Sequence, residues 1–283
     1  MTTPSINNSA LQRSLWVVVP AAGVGARMKT DRPKQYLVLH PDDAGNGHSV
    51  IHQTLLTLSK VPCVKGIVVA LGRDDGYWAD EDLSDCLVPI KTVVGGVERH
   101  DSVLAGLDYI ATEAADVELQ DWVMVHDAAR PCVRVSDIET LFNQVNSVDA
   151  REANVAGGLL GLPVTDTMKR ISIAGDSVNV TETIDRQQLW RAFTPQMFRL
   201  DVLRDAIRSG VETGVSITDE ASAIEHQGLQ PVMVESHSDN IKITRPDDLA
   251  LAAYYLASQN EAGQNEAGQN EAHNTILKQE SSK

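Results

Sequence analysis

The sequence predicts an α/β fold built on a doubly wound, mostly parallel sheet. Short apolar segments typical of buried strands alternate with longer amphipathic segments typical of helices along the 283-residue chain. Such alternation favours parallel strands joined by crossover helices on both faces of the sheet. Polar and glycine-containing motifs follow the first, third and fourth strands, at 20–34, 95–102 and 127–134. Because ligands of these sheets bind beyond the carboxyl ends of the strands, we expect the functional site there.

Apolar periodicity and capping patterns place the individual elements. The helix at 98–113, for example, carries Val103, Leu107 and Ile110 at helical spacing. A capping-box pattern at 136–139 starts the next helix. We predict strands at 15–19, 64–71, 90–94, 122–126, 154–160 and 231–234. We predict further helices at 49–60, 198–208, 218–225 and 246–258, with 74–85 helical or loop.

Residues 163–190 interrupt the alternation. Two β-prone runs flank Ala174, Gly175 and Asp176, a turn signal that predicts a long, protruding β-hairpin arm. A two-stranded hairpin is marginally stable alone, so we expect this arm to pack on another surface. From the residues alone, that surface is either a second subunit or the site of the same subunit.

The charge balance excludes several partners. The chain carries 24 Lys and Arg against 39 Asp and Glu, a formal net charge of −15. So acidic a chain disfavours nucleic acid and anionic membranes as partners, and cations that bind an anionic ligand must be concentrated locally. We expect no signal peptide and no membrane span. The three cysteines lack a C-x-x-C pair, so we expect neither a disulfide framework nor a zinc site, and we expect a cytoplasmic protein.

A single domain is predicted at 14–258. Residues 1–13 are polar, and we expect them to be disordered. From residue 259 the pattern Q-N-E-A-G repeats with a period of five residues, which fits no packed repeat architecture. The polar, acidic composition of 259–283 therefore predicts a disordered tail without a catalytic role.

The loop after the first strand is suited to a phosphate chain. Ala21, Ala22, Gly23 and Gly25 have almost no side-chain bulk, so a ligand can approach the backbone N–H groups closely. Cations then follow at Arg27, Lys29, Arg32 and Lys34. The dinucleotide fingerprint G-x-G-x-x-G requires a glycine where Met28 stands, and the P-loop pattern is absent. The loop on its own is also compatible with an ordinary strand-to-helix turn.

The pattern P-A-A-G-x-G-x-R-M…P-K-Q-Y at 20–36 resembles nucleotidyltransferases that activate sugar and polyol phosphates, in particular the 2-C-methyl-D-erythritol 4-phosphate cytidylyltransferase family of the non-mevalonate isoprenoid pathway. Further blocks in the family's order lie at 95–103, 126–131, 163–169, 218–222 and 240–246, so the resemblance spans about residues 15–257. It implies a Rossmann-like nucleotidyltransferase sheet, cytidylyl transfer from CTP to 2-C-methyl-D-erythritol 4-phosphate, and Mg²⁺ bridging phosphate oxygens. It also implies a homodimer in which the 163–190 arms interlock.

The resemblance implies four catalytic cations. Arg27 and Lys34 match the residues that face the triphosphate and stabilise the transition state. Lys242 matches the cation that neutralises the incoming phosphate and the α-phosphate. Arg186, with the hydroxyl of Thr167, matches the group that holds the phosphate of the substrate, supplied by the neighbouring subunit. Cations and positioning suffice for phosphoryl-group transfer, so no covalent nucleophile is required.

The resemblance also implies a substrate-binding set. Its members are Ala21, Ala22, Gly23, Gly25, Gly96, Ser102, Asp127, Arg130 and Thr167. Gly96, Ser102 and the backbone at 21–22 match positions that recognise cytosine. Val97 replaces an acidic residue of some relatives, which affects base choice if that side chain reads the base.

Asp127 matches a group that binds the polyol hydroxyls or water around Mg²⁺, and Arg130 one that binds the phosphate ester. The alternative for this pair is an Asp–Arg salt bridge that closes the loop. His126 is expected to face away from the site, and no protein ligand of the metal is assigned. Asp219 is expected to cap a helix that braces the site.

Three alternative functions remain open from the sequence. A sister cytidylyltransferase would act on ribitol 5-phosphate. A nicotinamide-dependent oxidoreductase is disfavoured by Met28 and by the lack of a matching acidic residue after the second strand. A non-catalytic nucleotide-binding regulator would have no need of the four cations.

Overall fold

A computed structural model describes residues 15–23, 32–39, 47–114, 117–118, 121–149 and 156–261. The predictions for Gly25 and Arg27, for disorder at 1–13 and for the tail beyond residue 261 lie outside the described residues.

Strands and helices alternate over most of the described chain, as predicted, but four strands follow one another between 157 and 199. The strands are β1 Leu15–Ala21, β2 Val64–Leu71, β3 Ile90–Val94, β4 Trp122–Val125, β5 Gly157–Pro163, β6 Met168–Ala174, β7 Ser177–Ile184, β8 Trp190–Arg199 and β9 Val232–Glu235. The helices are α1 Val50–Ser59, α2 Arg99–Glu113, α3 Val135–Asp149, α4 Leu200–Thr213, α5 Glu220–His226 and α6 at 247–261.

Seven strands form one mixed sheet in the order β3-β2-β1-β4-β8-β5-β9. The pairs β1–β2, β2–β3, β1–β4 and β5–β9 are parallel, whereas β8 runs antiparallel to both of its neighbours. The doubly wound, mostly parallel fold class is therefore confirmed.

Strand β8 is absent from the sequence prediction, which begins a helix at residue 198. The structure places β8 between β4 and β5, and its residues 193–198 are buried. Thr194, Pro195 and Gln196 interrupt the apolar pattern on which strand prediction rests. The helix α4 accordingly begins at Leu200 rather than at residue 198.

Alternate residues of the central strands enter two different cores. Val17 and Val19 of β1 pack with α1 and α3 on one face, and Val18 packs with α2 and α4 on the other. Gly106 permits the close packing of α2, because a Cβ there would lie 2.5 Å from the Val18 side chain. Because β1, β2, β3 and β4 are parallel, the carboxyl ends of β1, β3 and β4 lie at the same edge of the sheet.

The predicted arm is confirmed as a hairpin. Strands β6 and β7 form a separate two-stranded sheet that turns at Gly175 and Asp176, where Gly175 has a φ of +59°. Almost all of its side chains are exposed in the protomer. The hairpin thus lacks a packing partner within the described chain.

Several boundaries differ by a few residues from the prediction. Strand β5 begins at Gly157 rather than at residue 154, with 154–155 outside the described residues. Segment 74–85 is loop apart from a short 3-10 turn at Trp78–Asp80. Helix α6 continues to residue 261, where the Gln259 side chain donates to the Cys132 carbonyl, so the predicted tail begins too early. None of the helices in the described ranges has the length and apolarity needed to span a bilayer.

Candidate active site

One cleft lies at the carboxyl ends of β1, β3 and β4, as the sequence predicts. Its walls are formed by Pro20, Ala21, Ala22, Gly23, Lys34, Gln35, Gly96, Val97, Glu98, Arg99, Ser102, Asp127, Ala128, Ala129 and Lys242. The three predicted motif loops therefore converge, and they are joined by residue 242 from the far end of the chain.

The small-residue loop after β1 is held by a side chain that sequence reasoning missed. The Gln35 amide donates to the carbonyl of Ala21 at 2.9 Å and to that of Gly23 at 3.2 Å. Gln35 is buried, and it lies in the P-K-Q-Y block that also supplies Lys34. The amide thus couples the glycine-containing loop to the cation that follows it.

The two lysines of the cleft come from opposite ends of the chain. The Lys34 ammonium donates to the carbonyl of Ile243 at 2.9 Å, next to Lys242. The backbone N–H of Ile243 in turn donates to the Ala129 carbonyl at 2.8 Å. These bonds fasten the 240–244 segment to the loop after β4 and place both ammonium groups on one cleft.

Asp127 is the anchor of this charge cluster. Its carboxylate accepts from Lys242 at 2.8 Å, from Arg99 at 3.2 Å and from Arg130 at 3.3 Å. Burial alone would raise the pKa of Asp127, but the three surrounding cations outweigh burial and hold this pKa well below its usual range. Asp127 is therefore ionised at neutral pH and fixes the position of Lys242, whose side chain remains 37% exposed.

Arg99 is the second residue that sequence reasoning missed. Its guanidinium contacts both carboxylate oxygens of Glu220, at 2.5 and 3.2 Å, besides Asp127. Although burial opposes the charge, Glu220 and Asp127 raise the pKa of Arg99. Arg99 stands in the G-G-V-E-R block, but its partner is supplied by the T-D-E-A-S block, so only the fold joins them.

Asp219 and Gln196 position Glu220. Asp219 caps α5 by accepting from the backbone N–H of Ser222 at 2.9 Å, which confirms the predicted cap. The Gln196 side chain of β8 donates to Asp219 at 2.9 Å and accepts from the Ala221 N–H at 2.8 Å. The unpredicted strand thus supports the carboxylate that holds Arg99.

Arg130 lies behind the cleft rather than in its wall. Besides Asp127, its guanidinium donates to the Asn240 carbonyl at 2.8 Å and stacks over Phe193. The structure shows the Asp–Arg salt bridge that the sequence left open, and in this protomer Arg130 braces the loop. Direct contact between Arg130 and the substrate stays a prediction.

The predicted base-recognition residues lie together in the lining of the cleft. The Gly96 N–H donates to the Ser102 hydroxyl at 3.1 Å. Gly95 is required by this arrangement, because a Cβ there would lie 2.7 Å from the Ser102 hydroxyl oxygen and 2.9 Å from the Cβ of Ala22. Val97 lines the cleft with its side chain almost fully in solvent.

Arg186 and Thr167 do not join the cleft of the same protomer. Both lie in the exposed arm region, and neither is among the residues that line the cleft. The Arg186 guanidinium donates to the Thr165 carbonyl, a local contact within the arm. Of the four predicted catalytic cations, Lys34 and Lys242 therefore converge within the protomer, Arg186 does not, and Arg27 lies outside the described residues.

The described carboxylates in the lining of the cleft, and Glu220 behind Arg99, already have partners. Asp127 is shared by three cations, Glu220 is paired with Arg99, and Glu98 takes part in the capping box of α2. Because Mg²⁺ can keep most of its water and bind phosphate oxygens, this set fits a metal held mainly by a nucleotide rather than by side chains.

His126 is fully buried and faces away from the cleft, as expected. Its Nε2 lies 3.0 Å from the Arg130 carbonyl, and among the described residues its Nδ1 has no partner. Burial lowers the pKa of His126 to about 4. The imidazole is therefore neutral at pH 7 and braces the 126–130 loop.

Comparison with known proteins gives one consistent family. The sequence profile described as 2-C-methyl-D-erythritol 4-phosphate cytidylyltransferase matches residues 15–258. The chain is 48% identical to the protein of that name from Hahella chejuensis, over 88% of this chain and 95% of the relative. It is 47% identical to the one from Vibrio atlanticus, over 88% of this chain and 98% of the relative.

Solved structures agree with the sequence comparison. The 2-C-methyl-D-erythritol 4-phosphate cytidylyltransferase of Francisella tularensis superposes with a TM-score of 0.67 at 33% identity, covering 86% of this chain and 99% of that one. A 4-diphosphocytidyl-2C-methyl-D-erythritol synthase superposes with a TM-score of 0.69 at 28% identity, covering 87% and 100%. The likeness therefore extends over the whole of each solved chain.

Proposed function

The chain belongs to the 2-C-methyl-D-erythritol 4-phosphate cytidylyltransferase family, and from this premise we propose how its cleft carries out the reaction. The chain is a nucleotidyltransferase that converts CTP and 2-C-methyl-D-erythritol 4-phosphate to 4-diphosphocytidyl-2-C-methyl-D-erythritol and pyrophosphate in isoprenoid synthesis. The ribitol 5-phosphate alternative is not favoured, since relatives at 47–48% identity carry the methylerythritol name.

The reaction brings two anions together. A phosphate oxygen of the substrate attacks the α-phosphorus of CTP, and a new P–O bond forms. The bond from the α-phosphorus to the oxygen that bridges to the β-phosphorus breaks, and pyrophosphate leaves with that electron pair. Because the attacking oxygen is already ionised at neutral pH, the chemistry requires cations and alignment rather than a general base.

The observation that carries the mechanism is the convergence of Lys34 and Lys242 beside the loop of Ala21, Ala22 and Gly23. We assign Lys34, together with Arg27, to the charge that develops on the triphosphate. We assign Lys242 to the incoming phosphate and the α-phosphate, with Asp127 fixing its ammonium group at 2.8 Å. A fixed cation lowers the barrier because it needs no reorganisation as charge develops.

Mg²⁺ is part of this proposal. The ion would be held mainly by the nucleotide and water, and it would neutralise part of the charge on the CTP phosphates. The engaged carboxylates of the cleft support a metal that is held by nucleotide and water. No residue of the chain is assigned as a direct ligand.

The substrate phosphate is assigned to Arg186 and Thr167 of a neighbouring subunit. The exposed position of both residues on the arm supports this assignment, because neither is among the described residues that line the cleft of the same protomer. We therefore propose a homodimer with shared sites. Gly96 and Ser102 are assigned to cytosine recognition in the same site.

The apolar face of the hairpin supports the dimer. Ile171 pairs with Val180, and Ile173 with Val178, so these four side chains share one face of the hairpin. They are 49–74% exposed in the protomer. An apolar surface on a marginally stable hairpin is suited to a second copy of the chain.

The oligomeric state tests this part of the proposal. Sedimentation equilibrium of the wild-type chain is expected to give a dimer at micromolar concentration. Replacing Ile173 and Val178 by Asp is expected to give monomers, whereas Ser172→Asp, on the other face of the hairpin, keeps the dimer. A monomeric wild-type chain would contradict the proposal.

The three cysteines Cys63, Cys86 and Cys132 are free thiols. Free thiols persist in reducing compartments, which supports a cytoplasmic location for this enzyme.

A substrate panel tests the activity itself. Purified protein with Mg²⁺ and CTP is expected to release pyrophosphate with 2-C-methyl-D-erythritol 4-phosphate and not with ribitol 5-phosphate. Replacing CTP by UTP tests base recognition in the same assay. Turnover with ribitol 5-phosphate at an equal or higher kcat/KM would assign the chain to the sister activity.

A further inference from the structure

A second cluster of chemically active side chains lies outside the cleft. The His52 Nε2 is 2.9 Å from one carboxylate oxygen of Asp85, and the His48 Nε2 is 3.9 Å from the other. The two imidazoles stack with their centroids 4.0 Å apart. One ligand atom from each of the three residues lies within 4.8 Å of those from the other two.

The start of helix α1 sets the relative position of the two imidazoles. Ser49 is the N-cap, and its hydroxyl accepts from the backbone N–H of His52 at 3.1 Å. His48 immediately precedes this cap, and its carbonyl accepts from the Leu39 N–H at 3.0 Å. The backbone at both histidines is therefore held by hydrogen bonds that do not involve the imidazoles.

The surroundings of the cluster favour a cation. The three residues line an open cavity of about 840 Å³ that is also bordered by Asp80, Glu81 and Asp82. Arg32 is the single Lys or Arg among the described residues of this lining, so carboxylates outnumber fixed cations there. The cavity shares no lining residue with the catalytic cleft.

We propose that His48, His52 and Asp85 form a binding site for a divalent transition-metal ion of the Zn²⁺ or Ni²⁺ class. Two imidazoles and one carboxylate are a frequent three-ligand set for Zn²⁺, with water in the fourth position. The ion replaces the His52–Asp85 hydrogen bond, and the half-exposed His48 side chain rotates out of the stack to complete the set. Mg²⁺ prefers oxygen ligands, so this site is separate from the metal that accompanies CTP.

The bound ion would join the start of α1 to the loop at Asp85. The segment at 37–39 is also hydrogen-bonded to the start of α1, because the Val50 N–H donates to the Leu37 carbonyl at 2.9 Å. Binding an ion in the folded state alone is expected to raise the melting temperature.

Calorimetric titration of untagged, nucleotide-free protein with ZnCl₂ tests the site. The wild-type chain is expected to bind Zn²⁺, with His48→Ala and Asp85→Asn each weakening that binding at least tenfold. His226→Ala, which removes an exposed histidine elsewhere, is the matched control and is expected to bind as the wild type does. Excess MgCl₂ is expected to leave the Zn²⁺ affinity unchanged.

A thermal melt provides the second readout. Zn²⁺ is expected to raise the Tm of the wild type and of His226→Ala but not of His48→Ala, whose side chain is exposed and lies outside the hydrophobic core. The proposal is overturned if the wild type binds no Zn²⁺ up to about 1 mM. It is also overturned if both site variants bind with wild-type affinity, because the cluster is then a hydrogen-bonded pair beside a stacked histidine.

Discussion

The cleft and the hairpin arm contain residues of one proposed site, but the protomer supports them very differently. In the cleft, Lys242, Arg99 and Asp127 belong to a network of ion pairs at 2.8–3.2 Å. On the arm, Arg186 and Thr167 are exposed, and Arg186 makes one local contact with the Thr165 carbonyl. The network orients cleft residues before substrate arrives, whereas the arm residues require another surface to be oriented.

This contrast separates two ways of building a cation site in an acidic chain. The cleft holds its cations against their mutual repulsion by placing the buried carboxylate of Asp127 between them, while the buried Glu220 pairs with Arg99. On the arm, Arg186 stays in water, so its charge carries no desolvation cost until a partner subunit docks. Loss of a cleft residue should therefore affect both stability and turnover, and loss of an arm residue should affect turnover alone.

The largest effect on turnover is expected for Lys34→Ala. Removing a fixed cation from the transferring phosphate is expected to lower kcat roughly 10²–10³-fold. The free energy of unfolding should fall by about 1–2 kcal/mol, because one charge-assisted hydrogen bond to the Ile243 carbonyl is lost. Steady-state kinetics and urea unfolding measure the two quantities. Lys65→Ala, on the exposed side of β2, is the control, and wild-type turnover of Lys34→Ala would remove this residue from the mechanism.

Arg186→Ala tests the arm side of this comparison, because we expect it to affect turnover and not stability. It is expected to lower kcat/KM for the methylerythritol phosphate about 10²-fold, since the substrate phosphate loses its positioning cation. The free energy of unfolding should stay within ~0.5 kcal/mol of the wild type, because the side chain is exposed. Arg170→Ala, on the same hairpin, controls for general disturbance of the arm. A fall in the free energy of unfolding as large as the loss in kcat/KM, when both are expressed as free energies, would contradict a purely functional role of Arg186.

Glu220→Gln should show the opposite pattern, with stability affected first. The change removes one of the two buried anions that Arg99 contacts. We expect the free energy of unfolding to fall by about 2–3 kcal/mol, below the full value for a buried pair because Asp127 remains and the Arg99 side chain is 30% exposed. A smaller fall in kcat should follow as Arg99 and Asp127 rearrange. Chemical denaturation provides the measurement. Asp108→Asn weakens ion pairs with Arg204 and Arg208 in which the Asp108 side chain is 40% exposed, and this change is expected to cost less than ~1 kcal/mol.

His126 should affect stability in acid without a direct role in turnover. Its folded pKa is about 4, against about 6.5 in an unfolded chain, so the unfolded state binds more protons between these values. Stability should therefore decrease as the pH falls from about 6.5 to about 4, by up to ~1.4 kcal/mol per unit. His126→Gln keeps an N–H donor for the Arg130 carbonyl but has no titrating side chain. The stability of this variant should therefore change less with pH than that of the wild type. Identical pH slopes for both proteins would show that His126 does not bury a neutral imidazole.

The cleft could be predicted where its residues are adjacent in sequence. The apolar run at 15–19 and the motifs after the first, third and fourth strands predicted that Lys34, Ser102 and Asp127 lie at one cleft, because the carboxyl ends of parallel strands share one edge of the sheet. Arg99 was not predicted, since its function depends on Glu220 in a separate block. Gln35 was missed because a lone amide gives no pattern to detect.

Other features depend on packing that no local pattern encodes. Strand β8 contains Pro195 and Gln196 at its buried centre, where strand periodicity fails, yet β4 and β5 provide partners on both sides. The hairpin was predicted from its turn residues, but the sequence did not determine which surface it packs against. The position of Arg130 behind Asp127 likewise follows from its contact with Asn240.

The central claim is that each site combines the cleft of one subunit with the arm of another. It is tested most directly by co-expressing Lys34→Ala and Arg186→Ala chains with different tags and isolating the mixed dimer. One of its two sites then carries both substitutions and the other carries neither, so the mixed dimer should recover about half of the wild-type kcat. A mixed dimer as inactive as its two parents would show that Lys34 and Arg186 act within the same chain.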